Sequence, residues 1–110
     1  MEHLIILGLI LIILGIILRL TYKGNINYFF GYRTKLSMKN ISNWNIANKT
    51  SSVYIIITGI TSMFSGIFSY YLLPIKYQLN FTILTIIVGL VITIYITEKR
   101  LKDYDENNNF

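Results

Sequence analysis

Residues 77–97, YQLNFTILTIIVGLVITIYIT, run for 21 positions without an Asp, Glu, Lys, Arg or His. A helix of about 20 mainly apolar residues crosses a hydrocarbon core of about 30 Å, so this stretch predicts a transmembrane helix. Just before it, Thr50 to Ile75 is free of charge over 26 residues, and near the N-terminus Leu4 to Leu18 is free over 15. The first run reaches spanning length once His3 and Leu20 to Tyr22 are counted. With 54% hydrophobic residues in 110, the chain has too little polar surface to clothe a soluble globule.

The expected architecture is an all-α membrane protein, one domain over residues 1–110, with helices at about residues 3–22, 53–73 and 78–97. A loop (23–52) and a tail (98–110) complete it. The first run has the length of a signal-peptide core, but its flanks are reversed for one. Glu2 and His3 precede it, and Arg19, Leu20, Thr21, Tyr22 and Lys23 follow, so a retained helix is expected.

Basic residues set the expected orientation. Arg19, Lys23, Arg33, Lys35, Lys39 and Lys49 lie between the first two spans with no acid among them, whereas the turn from Leu73 to Leu79 holds Lys76 alone. Lys and Arg near span ends stay cytoplasmic, which places the loop and tail inside and the N-terminus and the Pro74 turn outside. The net charge of +5 follows from topology and anionic headgroups, so no nucleic-acid partner is expected.

Several chemistries lack their parts. The chain has no cysteine, which removes disulfides, thiol catalysis and thiolate metal sites, and its one histidine, His3, cannot build a zinc site or a Ser-His-Asp triad. No cofactor or metal is expected. Inside the spans, Thr58, Ser62, Gly66 and Tyr70 recur every fourth residue, as do Thr85, Gly89, Thr93 and Thr97, and Gly8 and Gly15 stand seven apart. Small residues at helical spacing let backbones approach where lipid offers no hydrophobic drive, so these stripes read as helix-packing faces. Pro74 ends the second helix and forces an antiparallel hairpin.

The loop is the polar, chemically varied part of the chain. Met38, Ile41, Trp44 and Ala47 fall three apart, on one helical stripe, and Ser37 could cap such a helix. The expectation is a short amphipathic helix at the cytoplasmic interface, with Trp44 at headgroup depth. Asn40 and Asn48 flank Trp44 at four-residue spacing. Upstream, Asn27 to Phe30 forms an aromatic stretch and Gly31 could supply the turn that aims Arg33 at the bundle.

Together, Asn27, Gly31-Tyr32-Arg33-Thr34, Ser37, Asn40, Trp44, Ala47 and Asn48 resemble the signature of the SdpI family, small bacterial membrane proteins named for immunity to a secreted killing peptide. The tail, Glu98-Lys-Arg-Leu101 followed by Asp103-Tyr-Asp-Glu, resembles that family's ending. The chain lacks the extra N-terminal helices of the longer immunity proteins, and it reads Asp105-Glu-Asn-Asn-Asn109 where the family pattern expects a glycine.

The resemblance implies an immunity or resistance protein of the bacterial cell membrane that binds an antimicrobial peptide or toxin at the cytoplasmic face. Its partners would be that peptide, membrane lipids and further copies of the chain. Arg33 would anchor a carboxylate or phosphate through its planar fork, Trp44 would offer a rigid aromatic surface, and Asn40 and Asn48 would orient the ligand. Asn27, Tyr32, Thr34, Ser37 and Glu98 complete the implied ligand-binding set. Two other classes stay open: an intramembrane enzyme acting on a peptide or lipid, with Glu98 as general base beside Arg33, Ser37 and Thr34, and a small oligomeric transporter.

Overall fold

The computed structural model describes residues 1–23, 26 and 30–108, with only the backbone of Asn108. It contains three helices, α1 (Glu2–Thr21), α2 (Ile41–Leu72) and α3 (Ile75–Asn108), and no strand among the described residues. All three are long and apolar enough to cross a membrane. Each boundary has a local cause. α1 opens with Glu2 and closes with Arg19, charges that complement its dipole. α2 is capped by Asn40, whose Oδ1 accepts the Asn43 N–H at 2.7 Å. It ends as Leu73 turns extended before Pro74, and the Gln78 side chain donates to the Leu73 carbonyl at 3.1 Å to close the hairpin.

α2 is the central helix, and α1 and α3 pack antiparallel against it. The α1–α2 seam is built from glycines in mutual contact: a Cβ on Gly8 would lie 2.5 Å from the Gly59 carbonyl oxygen, and one on Gly59 would lie 2.7 Å from that of Gly8. Gly15 and Gly66 repeat this toward the two ends, against Ile56 and Leu4. On the other seam Gly89 sits on Thr58, and Ser65 and Thr85 share a hydrogen bond of 2.9 Å. Most of the packing stripes expected in the sequence thus face other helices, but Tyr70, counted in the stripe of the second helix, is exposed, and Gly59, the partner of Gly8, was not among them.

The interior is small and polar while the exterior is greasy. Ser51, Ser52, Ser62, Ser69, Thr82 and Thr97 are fully buried, whereas Ile6, Leu9, Ile13, Phe64, Val91 and Tyr95 are exposed. That inversion suits lipid as solvent, and Thr58, Thr82 and Thr93 each donate to the carbonyl four residues back within their own helices, whereas the buried Ser62 Oγ and Thr97 Oγ1 have no hydrogen-bond partner among the described residues.

The expected interfacial helix is not a separate element. Residues 41–52 are the first turns of α2, and Ser37 lies in the turn before it while Asn40 takes the cap. The physical reason is the buried face. Asn43, Trp44, Ala47, Asn48, Ser51 and Ser52 continue the stripe of Gly59, Ser62 and Gly66, so one unbroken helix buries them all. Trp44, expected at headgroup depth, is 1% exposed inside the protein. With Gly15 beside Ser52 and Ile56, α2 runs about seven residues beyond α1 at the loop end, roughly 10 Å at about 1.5 Å per residue, and this projecting end carries the loop.

Candidate functional site

The projecting end is organised by residues 30–37, laid across α2 and α3. Gly31 begins it with φ +115°, a conformation that side-chain-bearing residues rarely adopt, and with no room for a Cβ, which would stand 2.7 Å from Asn48 Oδ1 and 3.2 Å from the Trp44 ring. Two independent constraints therefore select glycine. The close approach lets Asn48, fully buried on α2, accept the Tyr32 N–H at 2.7 Å while its amide donates to the Trp44 carbonyl at 2.9 Å and, at 3.4 Å, to that of Tyr32. Asn48 thus serves the loop backbone as a neighbouring strand would.

Tyr32 then spans the bundle. Its hydroxyl donates to Glu98 Oε1 at 2.8 Å, joining the loop to α3. Burial, and secondarily the adjacent Glu98 carboxylate, pushes the phenol far above its ordinary value, so it stays protonated as the donor. The next residues form a closed turn: Ser37 Oγ accepts the Thr34 N–H at 2.7 Å, Thr34 Oγ1 accepts the Ser37 N–H at 3.2 Å, and the Ser37 hydroxyl faces the Tyr32 and Thr34 carbonyls at 3.1 and 2.9 Å. Both hydroxyls are engaged in the turn, which counts against their use as nucleophiles.

Trp44 supports this from below. Its indole N–H donates to the Tyr22 carbonyl at 3.1 Å, tying the end of α1 to α2. The amphipathic ring expected at a lipid interface is a framework side chain here.

A second latch joins the loop to the end of α3. Lys39 pairs with Asp105 at 2.9 Å, and Asn43, 1% exposed, donates to Asp105 at 3.2 Å and to the Leu36 carbonyl at 3.1 Å. Hydrogen bonds from Lys39 and Asn43 hold the Asp105 carboxyl below the usual range. Asn43 was not among the expected site residues, and the latch was not expected. Asp105 lay within the tail motif, but nothing in its spacing indicated a partner 66 residues earlier.

Of the expected site residues, Tyr32, Thr34, Ser37, Trp44, Asn48 and Glu98 come together through these contacts, and Asn40 caps the adjoining helix. Asn27 lies outside the described residues. Arg33 is the exception. It is exposed, and among the described residues it makes no ion pair; the Glu98 carboxylate, weighed as its partner, is taken by Tyr32. Arg33 instead borders a cleft of about 460 Å³ between α1 and α3, walled by Leu11, Leu14, Leu18, Leu90 and Ile94 and closed by residues 30–33.

The SdpI/YfhL protein family model matches residues 23–97, which take in the loop, α2 and most of α3. The uncharacterized protein YfhL of Bacillus subtilis (strain 168) is 36% identical over 95 residues, covering 86% of this chain and 82% of the relative. The chain belongs to the SdpI/YfhL family. No solved structure matches it. Of the residues that carried the SdpI resemblance in the sequence, Gly31, Tyr32, Thr34, Ser37, Asn48 and Glu98 shape the loop and seat it on α2 and α3.

Proposed function

We propose that this SdpI/YfhL family member is an immunity-type membrane protein. It protects the cell that carries it by binding an antimicrobial peptide at the cytoplasmic face, with its N-terminus outside and its loop and tail inside. The carrying observation is the contrast between Arg33 and its neighbours. Tyr32, Thr34, Ser37 and Asn48 are spent on one another and on Glu98, and the turn leaves Arg33 with no ion pair among the described residues at the mouth of an apolar cleft. An amphipathic peptide matches that pairing of chemistries: apolar side chains can enter between Leu14 and Ile94, and a carboxylate can take the guanidinium fork. The run of basic residues between the first two spans, with no acid among them in sequence, supports the orientation.

The test is to incubate the purified full-length protein with a panel of membrane-active antimicrobial peptides and recover it by affinity capture. Stoichiometric retention of one peptide, lost on substituting Leu14 or Ile94 by Trp to fill the cleft, supports binding. Release of a chemically altered peptide instead makes the protein an enzyme, and the absence of both outcomes across peptides to which it confers resistance refutes sequestration.

A further inference from the structure

We infer that a second cavity, on the outer side of α2 at the loop end, binds a phosphate group, that of an anionic phospholipid headgroup or a soluble phosphate. The cavity is about 350 Å³ and is lined by Arg19, Lys49, Thr50, Tyr54 and Arg100, with Ile46 and Val53 completing the wall. It shares no residue with the Arg33 cleft.

Three features point to a phosphate. First, the three cations come from three different helices: Arg19 from the last turn of α1, Lys49 from α2 and Arg100 from α3. Their convergence is a tertiary arrangement rather than a run of basic sequence. Second, no acid lines the cavity, and none of the three has an ion-pair partner among the described residues, whereas Lys39 at the same end is neutralised by Asp105. Like charges gathered without a counter-charge repel one another, and a bound anion relieves that cost. Third, Thr50 is 6% exposed and, like Ser62 but unlike Ser52, Thr58 and Thr61, which each donate to a backbone carbonyl, its hydroxyl makes no hydrogen bond among the described residues. Thr50 lines the cavity beside Lys49.

These donors suit a phosphate. Two guanidinium forks can each take a pair of oxygens, the ammonium supplies a point charge, and the threonine adds a neutral hydrogen bond. Depth favours a lipid source. Arg19 closes a spanning helix and Arg100 stands three residues beyond Thr97, the last residue of the charge-free run, while Val53 and Tyr54 lie one turn further toward the hydrocarbon. A headgroup held by the cations would lead its acyl chains down that apolar wall.

The experiment exposes the full-length protein in detergent to an equimolar mixture of phosphatidylglycerol and phosphatidylcholine and reads the retained lipids by native mass spectrometry. Wild type should enrich phosphatidylglycerol. Lys49→Gln with Arg100→Gln should reduce the enrichment roughly thirtyfold, and Thr50→Val, which preserves charge and shape, about fivefold. Lys99→Gln with Lys102→Gln removes the same charge from the same end outside the cavity and should change it less than about threefold. In a second arm, inorganic phosphate is titrated against the lipid-free protein. Saturable binding that Lys49→Gln with Arg100→Gln abolishes shows that a soluble phosphate also satisfies the site, and its absence beside lipid enrichment assigns the site to the lipid. Equal losses in the two double variants, or neither lipid enrichment nor phosphate binding by wild type, overturn the proposal.

Discussion

Replacing Asn48 by leucine isolates the interaction that seats the loop. The side chain is fully buried and leucine has the same branched four-heavy-atom shape, though its methyls are bulkier, so the change removes hydrogen bonds without opening a cavity. Three contacts are lost outright: the Tyr32 N–H loses its acceptor at 2.7 Å, and the Trp44 and Tyr32 carbonyls lose a donor at 2.9 and 3.4 Å. The Trp44 carbonyl lies within α2 and keeps its helical partner, and the Tyr32 carbonyl still accepts from Ser37. The Tyr32 amide has no substitute, and a buried donor left unsatisfied costs about 1–3 kcal/mol. Taking the middle of that range, the seated loop loses about 2 kcal/mol relative to its detached state, and because about 1.4 kcal/mol is a factor of ten, local opening becomes roughly thirtyfold more frequent.

The effect should be local, since the helix seams are made by glycines elsewhere. Hydrogen-exchange mass spectrometry in detergent reads it: peptides covering residues 30–38 should exchange faster by about that factor, while those covering the 70–80 hairpin stay unchanged. Gly31→Ala, which forces a Cβ against Asn48 Oδ1 at positive φ, should give the same pattern. Wild-type exchange across 30–38 in the Asn48 variant would refute the seating role.

Gly59→Leu, which drives a side chain into the Gly8 backbone, should destabilise the bundle in detergent by about 1–3 kcal/mol, whereas Ile60→Leu on the exposed face should leave thermal stability unchanged. The Asp105 latch should fail in acid: a carboxyl held low in the folded chain contributes above the unfolded value of about 3.9 and ceases to contribute as pH falls through its lower folded value. Exchange at residues 36–43 should therefore rise at low pH in wild type and lose that dependence in Asp105→Asn. For orientation, single cysteines at Lys35 and Ile75 are suitable because both positions are exposed, unlike Gln78, which is buried in the hairpin; an impermeant thiol reagent on intact cells should label position 75 and spare position 35.

The three spans and the small-residue stripes were legible because membranes impose length and packing rules that charge-free runs and four-residue spacing reveal directly. Helix ends were not. α2 begins at Ile41 because Asn43, Trp44, Asn48 and the serines after them face the interior, where polar side chains read by hydropathy as loop. α3 runs on past Glu98 to Asn108 through Lys99 to Glu106, charged residues on which a membrane-length rule is silent. Within the site, the motif residues were identifiable but their roles were not. Sequence spacing placed Asn40, Trp44 and Asn48 on one edge as if to meet a ligand, yet Trp44 and Asn48 are engaged with backbone groups far away in the chain. A tyrosine hydroxyl reaching α3 could not be read from spacing either, and it displaces the arginine–glutamate pair that charge alone suggests.

If the seated loop exists to present Arg33, then the geometry of its guanidinium matters beyond its charge. Arg33→Lys keeps the positive charge and the topology signal but loses the two-pronged donor. The measurement is survival of a sensitive host challenged with the antimicrobial peptide that the protein resists, at matched membrane expression of wild type and variant. The account predicts that the lysine variant loses protection while remaining folded in the membrane; full protection by Arg33→Lys would contradict it and reduce Arg33 to a lipid anchor.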